Sequence, residues 1–151
     1  MSVKESATAF AQSYAAAMHL GQQASTTPES CGEALANHYL PTFTAYVMGT
    51  QTQIVADTRI AGVTDHLQKF QKHGLGMDVR LKALRVEVVS ELGSALCWIT
   101  WEVFPKNGQS GWAWENCYGY RKTQDKEGFE FSVSDNEIAL LAQHCPGFFE
   151  D

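Results

Sequence analysis

Three polar residues in the C-terminal half of the sequence could carry chemistry: Asp135, Asn116 and Tyr118. Asp135 continues the two-residue alternation of Phe131 and Val133, so it is predicted to point into the same apolar pocket. Burial would raise the pKa of a carboxyl group there towards that of a useful general base. Asn116 and Tyr118 are predicted to share one strand face, where an amide and a phenol can donate hydrogen bonds to an oxyanion.

Each of these residues also has a structural alternative. Ser134 and Glu137 stand at the spacing of a capping box, which would begin a short helix through Leu141 and give Asp135 a place at its start. Buried asparagine and tyrosine side chains often satisfy nearby backbone groups. The sequence leaves both alternatives open.

Aromatic side chains and one histidine are predicted to surround this polar group. Tyr14 and Tyr46 could close the pocket from the helical side, and His66 could act as a proton shuttle near neutral pH. Core packing or solvation is the alternative role of such residues. Asp57 and Arg59 could form a charged pair at the pocket mouth or a surface ion pair. The predicted substrate-binding residues are Tyr14, Tyr46, His66, Trp101, Trp112, Trp114 and Phe131.

No metal or cofactor is predicted from the sequence. The five histidines show neither H-x-H nor H-E-x-x-H spacing, and the four cysteines form no C-x-x-C pair. The cysteines are therefore expected to be reduced structural thiols. Glycine-rich nucleotide loops and the G-x-S-x-G elbow of serine hydrolases are also missing.

The overall composition predicts one domain over residues 1–151. Hydrophobic residues make up 44% of the chain and charged residues 19%, which is ordinary for a folded globular protein. The net charge of -6 includes no lysine or arginine cluster, so nucleic acid is not expected as a partner. No apolar run is long enough to span a bilayer, and we expect a cytoplasmic protein that does not bind membranes.

Three helices are predicted in the first half of the chain. A capping box at Ser2, a proline in a first helical turn at Pro28, and an exit glycine at Gly74 mark their ends. The predicted helices run from Ser2 to Gly21, from Thr27 to a point before Pro41, and from Gly62 to His73.

Strands dominate the second half, where the apolar period changes to two from Met77 onward. Two shorter strands are predicted before the third helix. The predicted strands are Thr42–Met48, Gln53–Ala56, Val79–Val89, Ala95–Phe104, Gly111–Lys122 and Phe129–Val133.

Two turns predict how the long strands pair. Asn107-Gly108 is a strong hairpin signal, and Leu92-Gly93 is taken as the turn before it, which places Leu84 opposite Trp101. The first turn predicts the pairs Val103–Trp112, Trp101–Trp114, Ile99–Asn116, Cys97–Tyr118 and Ala95–Tyr120, all on one aromatic face.

The opposite sheet face is amphipathic. It combines Trp98 and Cys117 with charged residues such as Arg85 and Glu115. Such a face is either solvated or an interface, and we expect a homodimer through this outer face.

The order of elements resembles that of the nuclear transport factor 2-like superfamily. The local carriers of the resemblance are the Gly62–Phe70 stretch, the Trp112–Arg121 strand and the Gly128-Phe-Glu-Phe131 ending. The resemblance implies an α+β fold, in which a cone-shaped, curved antiparallel sheet packs on three N-terminal helices as a cystatin-like roll.

Within that superfamily the chain looks most similar to SnoaL-like polyketide cyclases and related isomerases and dehydratases, which need no cofactor. Ketosteroid isomerases place an acidic oxyanion donor three residues before an arginine, whereas this chain has Tyr118 before Arg121. The isomerase reaction itself is therefore not carried over. The resemblance implies acid/base isomerisation, cyclisation or dehydration of a small hydrophobic polyketide- or terpenoid-like molecule. The alternatives are a non-catalytic small-molecule binding protein and a dimeric protein-interaction module.

Overall fold

The computed structural model describes residues 1–23, 25–54 and 58–150, which form four α-helices and six β-strands. The long strands follow the first three helices along the chain, as expected for an α+β fold, and a fourth helix follows the last strand. The helices are α1 (Val3–His19), α2 (Pro28–Ala36), α3 (Arg59–Lys72) and α4 (Asp135–His144). The strands are β1 (Tyr39–Val47), β2 (Thr50–Gln53), β3 (Val79–Ser90), β4 (Ser94–Val103), β5 (Trp112–Lys122) and β6 (Glu127–Val133).

Local capping signals fix the helix ends. The predicted capping box of α1 is confirmed, because the Glu5 N–H donates to Ser2 Oγ and the Ser2 N–H to Glu5 Oε1, each at 3.1 Å. α3 starts three residues earlier than predicted, at Arg59. It ends in a Schellman motif, in which Gly74 has a positive φ of 78° and the Leu75 N–H donates to the Phe70 carbonyl oxygen.

The six strands form one mixed sheet in the order β2-β1-β6-β5-β4-β3. The predicted sheet was wholly antiparallel, but β1 and β6 run parallel to each other. The second strand was also predicted too late: Met48 and Gly49 turn the chain with positive φ, so β2 begins at Thr50. Of the strand predicted over Gln53–Ala56, residues 55 and 56 lie outside the described residues.

The register of the long hairpins follows the turns. All five predicted pairs between β4 and β5 are confirmed, including Trp101 opposite Trp114. The pairing of β3 with β4 was wrong by two residues, since Leu84 lies opposite Ile99 rather than Trp101. A three-residue turn between Ser90 and Ser94 accounts for one residue of this shift, and a β-bulge between Val88 and Ser90 accounts for the other. This even shift leaves Leu84, Val86 and Val88 on their predicted face.

A β-bulge between β5 and β6 reverses the predicted faces of the residues that follow it in the last strand. Tyr120 pairs with Phe129, but Gly119 pairs with Phe131, so Glu130 is an extra residue in β6. Phe129 therefore points inward, whereas Phe131 points outward and the next residue, Ser132, points inward.

The core lies between the inner sheet face and the helices. Ala7, Ala11 and Tyr14 form the buried stripe of α1, and Cys97 of β4 packs beneath it with its Sγ 3.9 Å from the Ala7 carbonyl oxygen. Among the described helices, none is both long and apolar enough to cross a membrane.

The packing of Phe131 on Gly119 makes a stability prediction. A Cβ atom at Gly119 would overlap the Phe131 ring, so Gly119→Ala should lower the free energy of unfolding by about 1–3 kcal/mol in urea denaturation. Adding Phe131→Leu should recover part of that loss, because the smaller side chain leaves room. A single variant as stable as the wild type would contradict this account of the bulge.

Candidate active site

A cavity of about 270 Å³ opens between the inner sheet face and the helices. Trp101 and Trp114 line this cavity without filling it. Most of its wall is apolar, as expected for a small-molecule site. The apolar wall includes Leu35, Phe43, Leu67, Phe70, Met77 and Val79, and the polar wall includes Tyr14, Tyr39, His66, Asn116, Tyr118 and Glu137.

The carboxylate of Glu137 is the strongest charge on the polar wall. Its side chain is 13% exposed, and α4 places it in its first turn. His66 Nε2 of α3 lies 2.7 Å from Glu137 Oε2, and Asn116 Nδ2 of β5 donates to Glu137 Oε1 at 2.9 Å. Both carboxylate oxygens thus have a partner on a different element.

These partners keep Glu137 ionised. Burial pushes its pKa upward, but the hydrogen bond and charge of His66, together with the hydrogen bond from Asn116, outweigh burial and hold the pKa below its ordinary value of 4.5. His66 itself has 36% of its side chain exposed. It therefore connects the buried carboxylate with solvent.

A hydrogen-bonded chain continues from Asn116 into the core. Tyr118 Oη accepts from Asn116 Nδ2 at 3.2 Å and from Trp101 Nε1 at 3.0 Å. Because Asn116 Nδ2 faces two acceptors, the orientation of its amide group is fixed by Tyr118 and Glu137. Tyr118 is the acceptor in both of the hydrogen bonds that its hydroxyl makes with described residues, so its own hydroxyl hydrogen is available to a ligand.

A second pair of phenols lies beside this chain. Tyr14 Oη of α1 and Tyr39 Oη of β1 are 2.7 Å apart, and since one donates to the other, one phenolic hydrogen of the pair remains available. Burial raises the pKa of Tyr39 to about 12, and it also raises the pKa values of Tyr14 and Tyr118 well above the ordinary value of a phenol. The phenols are therefore protonated hydrogen-bond donors at neutral pH.

The prediction that Asp135 points into the pocket is wrong. It is the first residue of α4, it does not line the cavity, and its Oδ1 accepts from the Met48 N–H at 2.6 Å. The bulge at Glu130 is the physical reason, because it reverses the alternation on which the prediction depended. The helical alternative is correct, although Ser134 makes no side-chain cap bond.

Three predicted substrate-binding residues lie away from the cavity. Tyr46 and Phe131 point outward, where their ring centroids are 6.3 Å apart. Trp112 points inward but stacks on His144 of α4, with ring centroids 4.4 Å apart. The structure does bring together the other predicted residues, Tyr14, His66, Trp101, Trp114, Asn116 and Tyr118, around the cavity.

Sequence reasoning missed two residues of the polar wall. Glu137 was assigned to a capping box with Ser134, yet its side chain turns towards His66 and Asn116 instead. Tyr39 precedes the predicted start of its strand and was not considered. The only sign of Glu137 in the sequence was a glutamate near the start of a predicted helix. A capping box with Ser134 already explained a glutamate at that position, so no site role was assigned to it.

The remaining predictions concern charged groups and metals. Arg59 Nη1 donates to the Tyr39 carbonyl oxygen at 3.3 Å, while Asp57 lies outside the described residues. In the part of the chain that the structure describes, no three His, Cys, Asp or Glu side chains are grouped so that they could hold a metal ion.

Comparisons with known proteins find similarity in structure. No family model matches the sequence, and no curated protein matches it. An NTF-2-like protein of unknown function from Shewanella oneidensis superposes with a TM-score of 0.62 at 11% identity, over 85% of this chain and 95% of that chain.

Two further solved structures carry names that suggest activities. A candidate polyketide cyclase from Xanthomonas campestris pv. campestris matches with a TM-score of 0.59 at 13% identity, over 93% of this chain and 98% of that chain. A ketosteroid isomerase-like protein from Erwinia carotovora atroseptica matches with a TM-score of 0.57 at 15% identity, over 83% and 89%. At such identities the shared feature is the fold. The chain therefore has the nuclear transport factor 2-like fold, the cystatin-like roll predicted from its order of elements.

Proposed function

We propose that this protein is a cofactor-independent isomerase, cyclase or dehydratase that acts on a small hydrophobic polyketide- or terpenoid-like molecule. One observation carries the proposal: an ionised carboxylate, Glu137, is held by His66 and Asn116 on the wall of an apolar cavity. The names of two structural neighbours, a candidate polyketide cyclase and a ketosteroid isomerase-like protein, support the reaction class by analogy.

The proton chemistry would depend on the Glu137–His66 pair. Glu137 takes a proton from the bound molecule, and the half-exposed His66 exchanges it with solvent through the 2.7 Å contact. Asn116 keeps the carboxylate in place through its 2.9 Å hydrogen bond. No step in this scheme needs an electron acceptor or a metal.

The phenols would stabilise the negative charge that proton removal creates. Tyr118 offers its hydroxyl hydrogen, and the Tyr14–Tyr39 pair offers one more. Because these groups are buried and already oriented, they lose little reorganisation energy when charge develops on a ligand oxygen. In this proposal Tyr118 has the oxyanion-stabilising role expected from the sequence. Asn116, also expected to stabilise the oxyanion, positions the carboxylate instead, and Glu137 takes the role of base expected for Asp135.

The cavity volume favours a compact substrate. A volume of about 270 Å³ lies just below the range of roughly 300–1,000 Å³ that is usual for drug-sized ligands. A molecule of one or two rings fits this space better than a tetracyclic one. The polar side chains share one wall, so the substrate should be apolar apart from one oxygen-bearing end.

The first prediction concerns the carboxylate. Glu137→Gln should lower turnover by about 100-fold or more, because the amide cannot accept the proton, while ligand binding changes little. Compounds are first selected from one- and two-ring terpenoid and aromatic ketones by their effect on the thermal midpoint, and products are then identified by mass spectrometry.

Asp135→Asn is the matched control for this experiment. It removes a carboxylate from the same helical turn, but one that binds the Met48 N–H outside the cavity. It should leave turnover unchanged and lower the free energy of unfolding by about 1 kcal/mol. Full activity of Glu137→Gln would exclude Glu137 as the base. Ligands that bind tightly and are recovered unchanged would favour a binding protein instead.

The second prediction concerns the pH dependence of stability. The folded-state pKa of Glu137 is below its ordinary value of 4.5, so its ionisation stabilises the folded state above pH 4.5 and this contribution is lost as pH falls through the folded-state pKa. The difference in free energy of unfolding between wild type and Glu137→Gln should therefore persist down to pH 4.5 and shrink in more acid solution. Urea denaturation at several pH values measures it. A difference that disappears above pH 4.5 would show a raised pKa and contradict the assignment.

A homodimer through the outer sheet face remains our proposal for the quaternary structure. Tyr46, Val133, Cys117, Trp98 and Arg85 form one row across five strands. Tyr46 is 40% exposed and Val133 37% exposed, so part of this apolar row faces solvent. A second copy of the chain would cover it.

The third prediction tests this interface. Val133→Glu should shift sedimentation velocity towards the monomer, because a charge within the row would lose its hydration in the dimer. Leu92→Glu is the control, since Leu92 lies in the turn between β3 and β4 and is 95% exposed. A wild-type protein that sediments as a monomer at all concentrations would exclude the dimer.

A further inference from the structure

We infer that Gly62 forms the rim of the cavity entrance and determines which ligands can reach the polar wall. The inference rests on the proposed function only in that the cavity takes up a small apolar molecule. It assigns a specificity-determining position to α3 that is separate from the acid/base pair.

Gly62 combines two properties that locate the opening. It lines the cavity, and it is also solvent-exposed. Among the described lining residues it is the one that is exposed, while the others are buried or half-buried. A residue that touches both the cavity and bulk solvent must lie where the two meet.

None of the described residues occupies the space beside Gly62. A Cβ atom built on this glycine meets no atom of the described residues within 4 Å. By contrast, a Cβ atom at Gly32 of α2 would overlap the hydroxyl oxygen of Thr64 in α3. A side chain at position 62 would therefore extend into free space at the entrance instead of into a packed contact.

The backbone gives no reason for a glycine here. Gly62 lies inside α3, its N–H donates to the Thr58 carbonyl oxygen at 2.9 Å, and its φ is not positive. Glycine is a poor residue for a helix interior compared with alanine. We therefore attribute the glycine at position 62 to the cavity entrance, which a side chain would narrow, and not to a requirement of the helix.

The position also directs incoming ligands to the charged pair. His66 follows Gly62 by four residues, so the two lie on the same face of α3, one turn apart. A molecule that passes Gly62 arrives at His66 and then at Glu137, which His66 contacts. Enlarging position 62 should hinder access without altering either group.

The test uses a side chain that can be lengthened and shortened in the same folded protein. In a Cys145→Ser background, Gly62→Cys is treated with benzyl methanethiosulfonate, which attaches a benzylthio group through a disulfide, and dithiothreitol removes it. Cys31, Cys97 and Cys117 are buried, so the introduced thiol reacts first. Binding of 2-naphthol is followed by its fluorescence in equilibrium titrations and by stopped flow.

Modification should slow 2-naphthol association by about tenfold or more, and dithiothreitol should restore the original rate. The matched control is Ala61→Cys, because Ala61 is exposed on the adjacent position of α3 and does not line the cavity. Its modification should leave association unchanged.

Equal association before and after modification of Gly62→Cys would overturn the inference, as would a wild-type protein that takes up no 2-naphthol. A similar slowing in modified Ala61→Cys would also overturn it, because the effect would then not be specific to the rim. The probe assay does not depend on proton transfer by Glu137. Failure of the proposed chemistry, seen as full activity of Glu137→Gln, is therefore distinguishable from failure of this inference.

Discussion

The ionised carboxylate of Glu137 imposes the constraint on which the arrangement of the cavity depends. A charged side chain in a largely apolar cavity costs several kcal/mol unless it is paired and hydrogen-bonded. His66 on α3 and Asn116 on β5 supply those partners, each to a different oxygen of a side chain on α4. The three elements must therefore meet at one point. Asn116 extends the constraint into the core, since its amide also holds Tyr118 and, through it, Trp101.

The start of α4 depends in turn on the bulge at Glu130. Without that extra residue, Phe131 and Val133 would face the core and Ser132 would face outward. With it, β6 turns Ser132 inward, and α4 begins so that Glu137 reaches the cavity while Asp135 binds the Met48 N–H outside it. A shift of one residue thus decides which of two nearby carboxylates is available for chemistry.

Elements decided by interactions between neighbouring residues were predicted correctly from the sequence, whereas those decided by distant residues were not. Capping at Ser2 and the turn at Asn107-Gly108 are local, and they predicted α1 and the β4–β5 register, with Asn116 and Tyr118 on the cavity face. The bulge at Glu130 carries no glycine and depends on pairing with β5 and β1, so alternation alone placed Asp135 and Phe131 wrongly. For Glu137, the sequence indicated a local capping role, whereas in the structure the side chain binds His66, which is distant in sequence and is brought close only by the fold.

The proposed function rests on the Glu137–His66 pair and not on the fold. Proteins of different names share this fold with identities of 11–15% to this chain, so the fold alone does not select a reaction. A stable fold does not require a carboxylate at position 137, because replacing buried charged residues by well-packed apolar ones is often neutral or stabilising. An apolar side chain in its place would continue the wall formed by Ile138, Val63 and Leu67. A carboxylate kept ionised beside three phenols, with a half-exposed histidine leading to solvent, is instead the arrangement that the proposed proton transfer would use.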